Sequence, residues 1–289
     1  MKEIKNERFG EERALYGVQD IKLIDCKFDG KEDGESALKE AKHFILENCY
    51  MNLRYPLWHD DDVELKQVTM TENCRAALWY TTNVKIQDSK LFGIKALREC
   101  KDIEIKNTEI ESPEFGWRSE NISLEDVKIN KSEYLFFEGK NLTLKNVDFK
   151  GKYSFQYVEN MEIENSILDT KDAFWHSKNV TVKNSIVKGE YLAWYSQNLT
   201  LIDCKIIGTQ PLCYCENLKL MNCEMIDTDL AFEYSDVEAT IQGSIDSIKN
   251  PRTGYIEADE IKDIILTEDA KYKPQAKIKV NKKQFSYSS

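Results

Sequence analysis

The sequence predicts an all-β protein in which a single chain winds into a parallel β-helix, a solenoid of about 11–12 coils of about 19 residues. Three observations support this fold class. A short polar–apolar motif recurs at a nearly constant spacing, the apolar residues inside each copy alternate, and a copy is too short to hold a helix beside its strands. Function is therefore expected in columns of residues that stack at the same position of successive coils.

The recurring motif is Asn or Asp followed by an apolar residue, any residue and a second apolar residue; we call its first residue the head residue. The clearest copies are 19 residues apart and begin at Asn160, Asn179, Asn198 and Asn217. Earlier copies begin at Asp62, Asn83, Asp102, Asn121 and Asn141, and looser ones at Asp20, His43 and Asp236. Apolar residues at every second position are typical of a strand with one face turned inward. Helical repeat families have longer periods, mostly about 33 residues or more, and the leucine-rich-repeat pattern does not recur here.

The head residues and a second polar column five positions later are predicted to occupy turns. Asn tolerates left-handed backbone angles, and its side-chain amide can hydrogen-bond to the same position of a neighbouring coil. Two ladders of stacked polar side chains are therefore expected. The second column contains Asn107, Asp126, Asn146, Asn165, Asn184, Asp203 and Asn222.

The whole chain, residues 1–289, is predicted to form one β-helix domain whose regular coils run from about residue 18 to about residue 240. An insertion at about 30–42 interrupts the period and contains good helix formers such as Ala37 and Leu38. It predicts a short N-terminal capping helix that covers the open first coil. Residues 241–280 are expected to form irregular closing strands, and the polar tail at 281–289 to fray.

The composition argues against several classes of partner. The formal net charge is -11 and the basic residues form no run, which argues against nucleic acid. No apolar stretch is long enough to span a membrane, so no membrane partner is expected. The N-terminus lacks the apolar core of a secretory signal, which predicts a cytoplasmic location and reduced cysteines.

No metal ion or other cofactor is predicted. The three histidines lack a zinc-binding spacing. The acidic turn from His59 to Asp62 could take Ca²⁺, but a solvated turn is the favoured interpretation. Cys204 and Cys223 occupy the same position of adjacent coils and are predicted to stack as buried thiols.

The late part of each coil carries the residues best suited to ligand binding. All five Trp share one column, and the adjacent column is rich in His, Tyr, Glu and Arg. Flat apolar faces combined with a few directed hydrogen bonds suit a sugar, so an oligosaccharide is the predicted ligand. The candidate ligand strip consists of His59, Tyr80, Glu99, Arg118, Glu138, Asp172, His176, Tyr195 and Glu233.

Two registers of this late segment are possible, because a shift by one residue exchanges the inner and outer faces of a strand. In the favoured register the Trp column points inward, since burying Trp is favourable, and the candidate ligand strip lies outside. In the other register a Leu/Phe column that includes Leu57 and Phe174 is inside, and the Trp residues are exposed. Both registers leave an outer surface rich in aromatic and charged groups.

The function predicted from these residues is binding to, or action on, a carbohydrate along the strip. Glu99 and Glu138 lie two coils apart with Arg118 between them, which fits either acid–base chemistry on an acidic substrate or a structural ion-pair bridge. A non-catalytic protein-interaction scaffold is the alternative function. Stacked aromatic residues can also simply fill volume in a solenoid. The sequence leaves open whether the protein is an enzyme.

Several segments resemble a bacterial family of uncharacterised proteins with a pectin-lyase-like right-handed parallel β-helix. They are Glu12–Gly17, Asp33–Glu40, Arg54–His59, Cys74–Tyr80 and Asp172–His176, and the similarity covers about residues 8–270. The resemblance implies the fold and its right-handed coiling, and it assigns no activity and no catalytic residue. Many pectate lyases of the wider fold use a Ca²⁺-binding carboxylate cluster with a basic residue, which argues against lyase activity because no such cluster is evident in this sequence.

Overall fold

The structure is a computed structural model that describes residues 1–31 and 33–281. The chain divides into two compact units, Met1–Ile167 (unit 1) and Leu168–Ser289 (unit 2). The described residues of both units form parallel β-solenoids with about 19 residues per coil, which confirms the predicted fold class. No helix in the described part of the chain is long and apolar enough to cross a membrane.

Unit 1 contains nine coils in its described residues, and each coil opens with a long strand that pairs in parallel with the long strands of its neighbours. The long strands are β1 (Lys2–Lys5), β3 (Gln19–Ile24), β5 (Lys42–Glu47), β8 (Asp61–Lys66), β11 (Thr82–Gln87), β14 (Lys101–Lys106), β16 (Glu120–Glu125), β18 (Lys140–Lys145) and β20 (Glu159–Glu164). The following strands of each coil are β2 (Arg8–Phe9), β4 (Lys27–Phe28), β6 (Tyr50–Met51), β9 (Thr69–Met70), β12 (Lys90–Leu91), β15 (Glu109–Ile110), β17 (Lys128–Glu133) and β19 (Asp148–Lys152). A separate three-stranded sheet contains β7 (Leu57–Trp58), β10 (Leu78–Trp79) and β13 (Leu97–Arg98).

Unit 2 contains six coils in its described residues. Its strands are β21 (Ile167–Lys171), which begins on the last residue of unit 1, then β22 (Lys178–Lys183), β23 (Ile186–Lys188), β24 (Gln197–Ile202), β25 (Lys205–Ile207), β26 (Leu218–Ile226), β27 (Asp236–Lys249), β28 (Thr253–Ile265) and β29 (Lys277–Val280). In β26, β27 and β28 the first and second strands of the coil are continuous, and register shifts mark the places where they join.

The coils outnumber the predicted 11–12, because three of them lack the head motif. β1 pairs with β3 residue by residue, from Lys2 opposite Ile21 to Lys5 opposite Ile24. β28 pairs with β27, and β29 pairs with β28, in the same parallel sense. Backbone hydrogen bonding therefore extends the solenoid beyond the side-chain motif that revealed it.

The predicted capping helix at 30–42 is wrong for the described residues of that segment; Glu32 lies outside them, and so does the tail after Asn281. The segment instead forms part of a coil. The Leu38 N–H donates to the carbonyl of Pro56 at 2.9 Å, and the Leu38 side chain is fully buried. Bonds to neighbouring coils thus replace the bonds within a helix, and packing overrides local helix propensity.

The core is formed by alternate residues of the long strands, as the period of two predicted. In β11, for example, Val84 and Ile86 are each 1% exposed while Lys85 between them faces solvent. Neighbouring long strands pair in register, so each inward residue packs on the equivalent residues of adjacent coils. The same register aligns the outward residues in straight columns.

The two polar ladders are confirmed. Asn141 Nδ2 donates to Oδ1 of Asn121 at 2.9 Å, and Asn121 Nδ2 donates to Oδ1 of Asp102 at 2.7 Å. In the second column, Asn146 Nδ2 donates to Oδ1 of Asp126 at 2.9 Å. The head residues from Asp20 to Asn217 adopt the left-handed angles expected of Asn, with φ of 57° at Asn121.

Candidate functional site

The late segment of each coil, which carries the candidate ligand strip, is an arc in which left-handed residues recur. In one coil φ is 54° at Tyr134, 54° at Phe136 and 56° at Glu138. The strip residues His59 and Tyr80 have φ of 59° and 58°. A backbone that alternates in this way has no β-pleat, so two consecutive side chains can both face outward.

The favoured register, with the Trp column inside, is wrong. The Leu/Phe column fills the core instead, with Leu57 and Leu78 fully buried and Phe174 2% exposed. All five Trp are half-buried on the outside, next to the strip residues. The prediction failed because it assumed a pleated strand, in which Trp58 and His59 would have to lie on opposite faces.

Each indole is fixed against the following coil. Trp58 Nε1 donates to the carbonyl of Ala76 at 2.6 Å, and the other four Trp make the same type of bond. In unit 1 the rings of Trp58 and Trp79 stack with centroids 5.1 Å apart and 3° between their planes. In unit 2 Trp175 and Trp194 repeat this geometry at 5.4 Å and 3°. In each stacked pair the two facing ring surfaces cover each other, and the guanidinium of Arg98 lies over the ring of Trp79 at 5.1 Å.

The five strip residues of unit 1 stand on successive coils. His59 and Tyr80 stack, with ring centroids 4.9 Å apart. Arg118 Nε donates to Glu138 Oε2 at 2.7 Å, and Arg118 Nη1 lies 3.9 Å from Glu99 Oε1. The hydrogen bond to Glu138 and the charge of that carboxylate raise the pKa of Arg118. Arg118 therefore forms the ion-pair bridge that the sequence allowed, although exposed pairs of this kind contribute little to stability.

In unit 2 the strip residues His176, Tyr195 and Glu233 lie in one column, and Asp172 precedes His176 by four residues on the same coil. His176 and Tyr195 stack with ring centroids 5.0 Å apart and 7° between their planes. Glu233 pairs with Lys249 at 3.0 Å. Burial raises the pKa of Asp172. The strip residues of each unit are thus brought together by coil stacking.

A cleft on the outer face of the long strands of unit 1 was missed by the sequence reasoning. Its volume is about 830 Å³, it opens to solvent, and it crosses the coils of β8, β11, β14, β16 and β18. Its floor is formed by the residues two positions after each head residue, which the strand register places side by side. These floor residues are Glu64, Lys85, Glu104, Ser123 and Thr143. The column could have been found by listing the outward position of each predicted strand.

The two halves of the cleft differ in charge. The half at β8, β11 and β14 contains five carboxylates and one ammonium, from Asp61, Asp62, Glu64, Asp102, Glu104 and Lys85. The half at β16 and β18 contains uncharged hydrogen-bonding side chains, from Asn121, Ser123, Asn141 and Thr143. Glu64 is paired with Lys66 at 2.8 Å, and this hydrogen bond lowers the pKa of Glu64.

Asp60, in the acidic turn, is 1% exposed, so the favoured interpretation of a solvated turn is wrong at this residue. Its Oδ1 accepts the N–H of Ala41 at 2.9 Å, while its Oδ2 has no hydrogen-bond partner among the described residues. Burial raises the pKa of Asp60 to about 9, so the carboxyl is protonated at neutral pH. The described residues contain no group of three or more His, Cys, Asp or Glu placed to hold a metal ion.

All eight cysteines are free and buried. Cys204 and Cys223 are 1% and 0% exposed and interact with each other through their side chains, which confirms the predicted pair of stacked thiols. Burial raises the pKa of both Cys74 and Cys100 to about 12. These groups are therefore thiols rather than nucleophilic thiolates at neutral pH.

The model of a family described as "Protein of unknown function (DUF3737)" matches residues 2–279, which confirms the resemblance seen in the sequence. No curated protein matches the chain.

Among solved structures, the surface adhesin PfbA of Streptococcus pneumoniae is 11% identical with a TM-score of 0.36, over 78% of this chain and 74% of that chain. The A-module of the mannuronan C-5 epimerase AlgE4 of Azotobacter vinelandii is 13% identical with a TM-score of 0.31, over 83% and 81%. A tailspike double mutant of E. coli bacteriophage HK620 is 7% identical with a TM-score of 0.41, over 92% and 60%. Similarities at this level carry no argument about the activity of this chain.

Proposed function

The chain belongs to this family of proteins of unknown function, and from that premise we propose that it binds a carbohydrate chain in the cleft of unit 1 without changing it chemically. The family assigns no activity, so support has to come from the residues themselves. The observation that carries the proposal is the cleft, a concave polar surface with a hydrogen-bonding side chain on the floor at each coil it crosses. Ligand sites are typically concave and combine a rigid frame with a few placed polar groups.

The cleft matches the chemistry of a sugar chain. Sugar hydroxyls both donate and accept hydrogen bonds, and the amides of Asn121 and Asn141 and the hydroxyls of Ser123 and Thr143 do the same. Five coils span roughly 20 Å, which suits an oligosaccharide better than a single sugar. The floor stands on paired strands, so little conformational entropy is lost on binding.

The same residues favour binding over hydrolysis. The described residues that line the cleft include no His, Cys or Tyr. Glu64 and Glu104 are the nearest pair of floor carboxylates, and they lie two coils apart, about 10 Å between backbones. Glycosidase carboxylates are typically about 5–9.5 Å apart. Lys85 also stands between the two, on the intervening strand.

The candidate ligand strip is a second surface for the same class of ligand, and it stays a prediction. Its residues are held in a fixed order by ring stacking and by the Arg118 ion pairs, which supports preorganised binding. The ring faces that stack on each other, however, are not available to a sugar ring. Tyr and Arg are also common in protein-binding hot spots, so the strip supports the interaction scaffold as the second candidate function.

Calorimetric titration with a panel of neutral, acidic and amine-bearing oligosaccharides tests the proposal. Ser123→Trp should fill the middle of the cleft and weaken binding by about tenfold or more. Thr181→Trp is the matched control, since Thr181 is the equivalent outward residue of β22 in unit 2. Arg118→Ala tests the strip.

Each outcome of this titration is informative. Loss of binding in Ser123→Trp alone supports the cleft. Loss in Arg118→Ala, with Ser123→Trp unaffected, would overturn the cleft and place the ligand on the strip. A panel in which no sugar binds at millimolar concentration would overturn carbohydrate binding and favour the interaction scaffold.

A further inference from the structure

We infer that the cleft of unit 1 selects a carbohydrate that carries a free amine, an amino sugar with an ammonium group. The inference rests on the proposed function and names the chemical class of ligand at the same site. It is supported by the unequal distribution of charge along the cleft and by which of its carboxylates already have an ion-pair or hydrogen-bond partner.

Most carboxylates in the charged half are already engaged. Glu64 pairs with Lys66 at 2.8 Å, and Asp102 accepts a hydrogen bond from Asn121 at 2.7 Å. Asp61 accepts from two neighbouring side chains of the next coil. These contacts engage the floor carboxylate Glu64 and two further carboxylates of the cleft, Asp61 and Asp102.

Glu104 is the floor carboxylate that remains. It is exposed, it is the in-register neighbour of Lys85, and within the described ranges it has no ion-pair partner within 4.0 Å. On its other side the register places Ser123, which is uncharged. Glu104 therefore stands at the boundary between the charged and the uncharged half, where one ammonium group of a ligand would gain a charge-assisted hydrogen bond.

The uncharged half of the cleft determines which functional groups the rest of the ligand should carry. The amides and hydroxyls of Asn121, Ser123, Asn141 and Thr143 complement hydroxyl groups and offer no carboxylate to a second cation. A uniformly cationic polymer would leave its remaining charges unpaired there. A sugar carboxylate would be repelled by Glu104 and its acidic neighbours. An amino sugar satisfies both halves.

The test compares two ligands of equal length, the β-1,4-linked N-acetylglucosamine tetramer and the same tetramer with one free amine, which we call the monoamine tetramer. The two tetramers differ by one acetyl group, so only the monoamine tetramer carries an ammonium group on an otherwise identical sugar chain. Calorimetry at low salt should show the monoamine tetramer binding about tenfold or more tightly than the fully N-acetylated form, with the ratio of the two affinities shrinking as salt is added. Glu104→Gln should reduce the ratio to near one.

A matched control lies in the same column. Glu162 is the in-register neighbour of Thr143 on β20, just beyond the cleft, so Glu162→Gln should leave the ratio unchanged. Spermine serves as the sugar-free cation.

The outcomes separate the inference from the proposed function. Equal binding of the two tetramers would overturn the inference and leave carbohydrate binding standing, whereas binding of neither would remove both. A ratio that survives Glu104→Gln would overturn the role of Glu104, and with it the inference. Spermine binding as tight as that of the monoamine tetramer would show a general cation surface and overturn selection of an amino sugar.

Discussion

Replacing Asp60 with Asn should stabilise the protein, and the gain should grow as the pH rises. Asp60 is buried, and its pKa is raised from 3.8 to about 9 in the folded state. A raised folded pKa contributes stability that is fully present below about pH 4 and is lost as the pH rises toward 9. Asn is neutral throughout and keeps an oxygen that can accept the N–H of Ala41.

The magnitude follows from the shift. Each pH unit between the two pKa values lowers the free energy of unfolding by about 1.4 kcal/mol. The contribution of Asp60 is therefore roughly 4 kcal/mol smaller at pH 7 than at low pH. The Asn amide would place an N–H group where Oδ2 now has no partner, which costs about 1 kcal/mol or more. The expected net gain at pH 7 is therefore about 2–3 kcal/mol, with little or no gain near pH 4.

Urea unfolding of both proteins at about pH 5, 6, 7 and 8, followed by circular dichroism, measures the difference. Equal m-values are required, because solenoid coils can unfold in steps. Asp61→Asn is the control of opposite sign: hydrogen bonds from Thr82 and Asn83 lower the pKa of Asp61, so this variant should lose stability at neutral pH and recover as the pH falls. A difference between wild type and Asp60→Asn that does not change with pH would refute the reasoning.

Three further predictions concern other parts of the solenoid. Trp58→Phe removes an indole bond to a backbone carbonyl and should lower the free energy of unfolding by about 1 kcal/mol; an unchanged urea midpoint would contradict the bond. Asn141→Ala should lower the free energy of unfolding by about 1–2 kcal/mol, because it removes ladder hydrogen bonds and Ala tolerates the left-handed backbone less well than Asn. Asn141→Gly should recover the share of the loss that comes from backbone strain, in the same assay. Burial raises the pKa of Cys74 and Cys100 to about 12, so both should resist iodoacetamide at about pH 8 in the folded protein and react after unfolding. Mass spectrometry measures the labelling, and rapid labelling of the native protein would argue against burial.

The fold could be predicted because the repeat is redundant. Each head residue, such as Asn121 or Asn141, meets the same local requirement, a left-handed turn with a partner above and below, and the repetition makes that requirement visible in the sequence. The period of two in the long strands then fixed which residues are buried. Both features depend on local geometry that adjacent residues encode.

The errors arose where geometry is set by neighbouring coils. Leu38 has a good helix propensity, yet its N–H bonds to Pro56 in the next coil. Trp58 and His59 both face outward, because left-handed residues remove the pleat that the register argument required. The cleft was missed for a different reason: its charge pattern emerges only when residues such as Glu64 and Glu104, some 40 positions apart, are read as one column.

The parallel pairing of the coils also has a kinetic consequence. β1 pairs with β3 alone among the described strands, whereas β3 is held on both sides, by β1 and by β5. Opening of the first coil thus breaks one set of bonds, and each coil further inward opens only after those outside it. Amide hydrogen exchange should therefore be fastest at Ile4 and slow progressively along the following long strands of unit 1. Resistance to proteases and to thermal fraying would then be graded along unit 1, with the cleft strands β11 and β14 in its protected interior.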